Sequence, residues 1–358
     1  PPPPPLILTR PPPTPTPDYI RRQRQMCIRD RLEGLRKHEK ASSTETECSS
    51  RTLVFQDDKL SLYHYHSSVY YDTHTTPLLI VYALVNRPKI LDLEKNRSAI
   101  AKMLENGLDV YLIDWGYPDI SDSDHGMDDY INRQLHRCVE TVCELNTLED
   151  INILGVCQGG TLSLCYSSLY PERVKNLVLM VTPVDFQTEN DKLSHWVKKV
   201  DIDLMVDTLG NIPGNLLSNT LLTLKPYQLQ LKKYLDLIDS IDQFEDVQER
   251  ISNFIIMEQW IFDSPDQAGE MFREFITSCY QQNQLFKGEL TVAEKPIDLG
   301  SLTMPILNIY AQQDHIVPPE SSKALKTLVS SSDYKEIMET GGHIGLFVRK
   351  SSLQHLFP

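Results

Sequence analysis

Short apolar runs, each followed by a segment with helical spacing, restrict the fold of this chain more than any other feature. Pro77–Val85, Asp109–Asp114, Ile151–Val156 and Val174–Val181 read as strands, and Pro305–Tyr310 and Tyr334–Met338 repeat the signal later. Runs that are apolar on both faces belong to strands covered on both sides, as in a parallel sheet. Helical spacing falls at 95–106, 128–145, 161–169 and near 319–329. Strands alternating with helices at this interval predict an α/β protein, a mostly parallel sheet with helices on both faces. Residues 51–66 alternate in shorter bursts and read as a hairpin at the sheet edge. The alternation breaks from 185 to 290, where apolar clusters such as Leu216–Leu224 and Phe254–Phe262 predict helices. This stretch reads as a cap inserted between two strands, with Gly210 and Gly214 as flexible points of a mobile lid. The expected core is then 41–184 together with 291–358, with the last helix cut short at the chain end.

The first 40 residues do not fit that core. Ten of the 23 prolines lie within residues 1–17, and residues 1–40 carry a net charge of +5 in a chain whose total is −14. The remainder is therefore −19. Residues 1–40 are expected to form a Pro-rich, basic, disordered tail. Part of it, about 1–31, is expected to be non-native, because "RRQRQMCIRDR" resembles translated adapter sequence. So acidic a body repels phosphate backbones and argues against nucleic-acid binding. The longest apolar run, Leu78–Val85, is too short to span a bilayer, so no transmembrane segment is expected. The seven cysteines form no C-x-x-C pair, and none has histidines at zinc spacing. Reduced thiols in a cytoplasmic protein, without a metal, are expected.

One cysteine stands apart. Gly155-Val156-Cys157-Gln158-Gly159-Gly160 lies between a strand and a helix and has the form of a nucleophile elbow. Small residues at 155, 159 and 160 let strand and helix approach while Cys157 projects above the sheet edge. A helix N-terminus directly after it favours negative charge on sulfur, and the Gln158 N–H is placed to meet an oxyanion. Asp314 and His343 follow in the order that such a site requires, each after a strand. His343 then takes the thiol proton and Asp314 holds the imidazole. Cys138, Cys143, Cys165 and Cys279 read as buried structural thiols, His315 as a packing residue, and His125, His136 and His195 as surface residues. Asp114 reads as closing a turn with Trp115-Gly116. A cysteine exchanges one thioester for another at nearly equal free energy, which points to acyl transfer from coenzyme A and away from hydrolysis.

The stretches "PLLIVYALVNRP", "DVYLIDWGYPD", "LGVCQGGTLSLCYSSLYPERVKNLVLMVTPVDF", "WIFDSPDQAGEMFREF", "PILNIYAQQDHIVPP" and "GGHIGLF" resemble the catalytic subunit of polyhydroxyalkanoate synthases. The resemblance runs from about residue 52 to the chain end. It is to the short, two-subunit class III type, with class IV as near neighbour. It implies an α/β-hydrolase fold and places the family's catalytic Cys, Asp and His on Cys157, Asp314 and His343. Its two backbone oxyanion donors fall on Gln158 and Val85. It also implies the reaction: (R)-3-hydroxyacyl-CoA acylates the thiol, CoA leaves, and a 3-hydroxyl attacks the thioester to extend a polyester. His343 with Asp314, or Asp314 directly, activates that hydroxyl. No cofactor is expected beyond the coenzyme A thioester substrate. The implied partners are an accessory synthase subunit, the surface of a cytoplasmic polyester granule and a second copy of the chain. The alternatives are a cysteine hydrolase like dienelactone hydrolase and an inactive granule-associated fragment.

Overall fold

The computed structural model describes residues 49–67, 76–94, 96–241 and 247–357. The 1–40 tail, with Cys27, and also Cys48 lie outside the described residues. Eight strands form one sheet: β1 (Arg51–Asp57), β2 (Leu60–Tyr65), β3 (Leu78–Val81), β4 (Val110–Asp114), β5 (Ile151–Val156), β6 (Val174–Met180), β7 (Ile306–Ala311) and β8 (Tyr334–Glu339). Their order is β1-β2-β4-β3-β5-β6-β7-β8. The β1–β2 hairpin turns at Asp58-Lys59, with Asp58 left-handed at φ 51°. It joins the sheet antiparallel to β4, and every other pairing is parallel. The expected α/β architecture is therefore the one found.

Alternate side chains of the buried strands feed two cores. Leu79, Ile113, Ile153 and Leu177 face one, and Ile80, Leu112, Leu154 and Met180 face the other. Helices α1 (Ala99–Glu105), α2 (His136–Asn146) and α3 (Gln158–Leu169) connect the strands. The Ser98 hydroxyl accepts the Ala101 N–H at 2.8 Å and so starts α1, later than periodicity alone suggested. A π-helical turn over Asp129–Leu135 precedes α2. The 319–329 segment divides into α-helical Pro319–Lys323 and 3-10 Ala324–Thr327.

The first apolar run requires a correction. The strand ends at Val81, while Tyr82, Ala83 and Leu84 stay buried in a loop. Their polar groups find partners outside the ladder: the Trp115 indole donates to the Tyr82 carbonyl at 2.9 Å, and the Leu84 N–H donates to Gln158 Oε1 at 3.3 Å. Burial in a satisfied loop leaves the same apolar signature in sequence as burial in a strand.

Between β6 and β7 the chain runs through α4 (Lys192–Val197), α5 (Ile202–Leu209), α6 (Gly214–Thr223), α7 (Lys233–Ile241), α8 (Val247–Phe262), α9 (Gly269–Phe275) and α10 (Gln284–Lys287). Gly214 is no loose hinge. It is buried, and a Cβ there would lie 1.9 Å from the Ser264 carbonyl oxygen.

Candidate active site

Cys157 ends β5 and starts α3 with φ 54° and ψ −123°, in a region that side-chain-bearing residues avoid. Such a conformation costs about 1–3 kcal/mol and persists only where its surroundings enforce it. Here the Cys157 N–H donates to the Met180 carbonyl at 2.9 Å, and the Cys157 carbonyl accepts the Gly160 N–H at 2.9 Å. The glycine spacing follows from packing. A Cβ on Gly159 would lie 2.2 Å from the Val81 carbonyl oxygen, and one on Gly160 would lie 1.9 Å from Thr182 Oγ1.

Asp314 and His343 come from the loops after β7 and β8. Asp314 Oδ1 accepts the N–H groups of Ile316 and Val317 at 2.9 and 3.0 Å. Its Oδ2 accepts His343 Nδ1 at 2.7 Å, which leaves the other ring nitrogen for the Cys157 thiol. The three residues predicted from sequence thus meet at one site: Asp314 is bonded to His343, and His343 and Cys157 line the same cavity. Burial pulls the His343 pKa down, but the charge of Asp314, the proximity of Cys157 and the Asp314 hydrogen bond outweigh it and push the pKa up to about 10. The ring is therefore held protonated across the neutral range. A folded-state pKa above the unfolded value of about 6.5 stabilises the fold fully below that value. The contribution declines as pH rises and is lost through about 10. The Tm difference between wild type and His343→Gln is expected to shrink steadily from pH 6 to pH 10.5 in thermal melts. A difference independent of pH contradicts the assignment.

A cavity of about 220 Å3 opens over the thiol. Cys157, Gln158, Val85 and His343 line its core side, and Leu217, Leu221, Phe275 and Tyr280 are among the insertion's apolar contributions. Gln158 opens α3, so its N–H belongs to the orphan donors of the helix start. Val85 stands on the cavity wall in the loop after β3.

The remaining candidates fall elsewhere. Burial, reinforced by Lys225, pushes His315 down to about 4, so it stays neutral beside Asp314. His195 is exposed, but His136 is half-buried, stacked on Tyr170 at 4.3 Å and hydrogen-bonded to the Tyr166 hydroxyl. Asp114 accepts the Gly116 N–H at 3.0 Å, closing its turn, and pairs with Arg87. Cys138, Cys143, Cys165 and Cys279 are buried, and burial pushes all four thiols up. Sequence periodicity missed Asn86, Trp260 and Gln267, which hold the Val85 loop. No pattern marked them, although Trp260 and Gln267 lie within the quoted "WIFDSPDQAGEMFREF" stretch.

The fold and this elbow-centred site define a protein of the α/β-hydrolase fold, and the family model of that description matches residues 76–350. A solved structure, Rv0554 from Mycobacterium tuberculosis, shares the fold at a TM-score of 0.51 and 13% identity, over 80% of this chain and 89% of that one. The chain is 50% identical to the poly(3-hydroxyalkanoate) polymerase subunit PhaC of Thiocystis violacea, covering 89% of this chain and 88% of that one. It is 49% identical to the protein of the same name from Synechocystis sp., over 83% and 79% of the two chains. The chain belongs to the poly(3-hydroxyalkanoate) polymerase PhaC family, and the expectation of a polymerising enzyme of the acyltransferase kind is met.

Proposed function

We propose that this chain is the catalytic subunit of a class III polyhydroxyalkanoate synthase, with Cys157 as its acyl carrier. Cys157 Sγ attacks the thioester carbonyl of (R)-3-hydroxyacyl-CoA, 3-hydroxybutyryl-CoA being the expected form. The N–H groups of Gln158 and Val85 meet the developing oxyanion. The carbon–sulfur bond to CoA breaks, and the CoA thiolate leaves with the proton held by His343. The 3-hydroxyl of a further unit then attacks the acyl-Cys157 thioester and loses its proton to the His343 ring. An ester bond forms, and the thiol is released for the next cycle. This route uses the chain's own residues and needs no resident cofactor or metal.

The observation that carries the reading is the buried Asp314–His343 pair beside Cys157, beneath a largely apolar cavity. An apolar lining over the thiol disfavours water there and so favours transfer over hydrolysis. The subunit naming of the relatives favours a second, accessory subunit, and class IV is the near alternative. On this reading the enzyme works in the cytoplasm at the polyester granule surface, as a dimer or larger homo-oligomer. CoA release from 3-hydroxybutyryl-CoA, with polymer recovered, tests it. Slow turnover alone and strong stimulation by the accessory subunit are expected. Free 3-hydroxybutyrate as the product returns the hydrolase alternative, and no CoA release with the subunit present returns the inactive one.

Both Asp314 oxygens are already engaged, by His343 and by two backbone N–H groups, which favours orientation of the ring over direct activation of the hydroxyl. Asp314→Asn is expected to slow acylation and elongation by similar factors, on the order of 10^3–10^4. Single-turnover acylation measured beside chain growth checks this. A loss confined to elongation makes Asp314 the direct base.

A further inference from the structure

The side chain of Gln158 reaches across to the loop that carries Val85. Its Oε1 accepts the Leu84 N–H at 3.3 Å and Gln267 Nε2 at 3.4 Å, and both glutamines are buried. On the far side of Val85, Asn86 sits in the left-handed region at φ 60° and is tied to the insertion. Its N–H donates to Ser264 Oγ at 3.3 Å, and its Nδ2 donates to the carbonyls of Ile261 and Trp260 at 2.9 and 3.3 Å. The Trp260 indole returns a bond to the Arg87 carbonyl at 2.8 Å. Val85 is therefore flanked by two clamped residues, one held by the elbow and one by the insertion. Gln267 is itself fixed: its backbone exchanges two 2.9 Å hydrogen bonds with Ile212, just before α6.

From this arrangement we infer that Gln158 and Gln267 are positioning residues for the oxyanion hole. The Gln158 side chain sets the distance between its own N–H and that of Val85, and Gln267 makes this setting depend on the insertion being docked. One residue thus supplies one donor through its backbone and places the other through its side chain. The Gln158 Oε1 is saturated within the protein, so the contribution of that oxygen lies in geometry and not in contact with substrate. A hydrogen bond that fixes a donor for the transition state lowers kcat when lost and leaves KM nearly unchanged. The inference rests on acyl transfer through Cys157.

The test compares two reactions of the same sulfur in the full chain with its accessory subunit. Acylation by 3-hydroxybutyryl-CoA develops an oxyanion, whereas alkylation by iodoacetamide does not. Gln158→Met preserves length and removes the acceptor. It is expected to slow single-turnover acylation about 10- to 100-fold, less than outright loss of a donor, with KM for CoA release unchanged. Gln267→Met is expected to have a smaller effect, and the double variant to be no slower than Gln158→Met, because both act through one oxygen. Alkylation of Cys157 is expected to stay within about twofold of wild type in all three. Acylation and alkylation falling together, or acylation unchanged in Gln158→Met, overturns the inference. A wild-type chain that is alkylated but never acylated overturns the acyl-transfer reading, and this inference with it.

Discussion

Cys157→Ala is expected to abolish CoA release, by at least about 10^4-fold, because the residual chemistry of such a site comes only from binding and the oxyanion hole. No second nucleophile replaces it: the other described cysteines are buried, with thiols pushed up by burial. Cys165, about two helical turns further along α3 and fully buried, provides the matched control. Cys165→Ala is expected to lose some stability to the small cavity it leaves and to retain most activity. Cys157→Ser is expected to fall between them. An alkoxide forms less readily than a thiolate, and an oxyester no longer stores the free energy that drives transfer to a hydroxyl. CoA release by a thiol-trapping assay, beside thermal melting, separates the three. Activity surviving in Cys157→Ala ends the assignment.

Gly159→Ala is the second large effect. The new methyl carbon would lie 2.2 Å from the Val81 carbonyl oxygen and 2.5 Å from that of Tyr82, and both are backbone. Neither oxygen can rotate away as a side chain would, so helix α3 and the end of β3 must separate. Overpacking of this kind costs about 3 kcal/mol, which lowers Tm by roughly 5 °C in a domain of this size. The strand end that moves also begins the loop bearing Val85, so CoA release is expected to fall more than about 100-fold even where the variant folds. Gly288→Ala is the control. Gly288, unlike the helical Gly159, has a positive φ, 71°, but a Cβ there meets nothing within 4 Å. It is expected to cost about 1 kcal/mol and leave activity intact. Equal effects from the two substitutions contradict the close-packing account.

The parts of this molecule governed by short-range rules could be read from the sequence. Elbow glycines, a nucleophile between strand and helix, and an acid and a histidine after later strands each obey a local constraint, so Cys157, Asp314 and His343 were identifiable. The Tyr82–Leu84 loop was not, because its burial mimics a strand and its hydrogen-bond partners, Trp115 and Gln158, are remote in the chain. Gly214 was misread for a related reason. Its tight contact is with Ser264 and Pro265, fifty residues away, and nothing beside it in sequence distinguishes packing from flexibility. Asn86, Trp260 and Gln267 bond across the same kind of separation. Periodicity describes which face of an element is apolar and says nothing about which distant polar group it will meet.

The central claim is that the growing acyl group resides on Cys157. Rapid acid quenching of the enzyme mixed with 3-hydroxybutyryl-CoA, followed by proteolysis and mass spectrometry, tests it directly. The account predicts a hydroxybutyryl adduct on the peptide containing Cys157, labile to hydroxylamine as a thioester and absent from Cys157→Ala. An adduct on another residue, or CoA release with no adduct at any quench time, contradicts it.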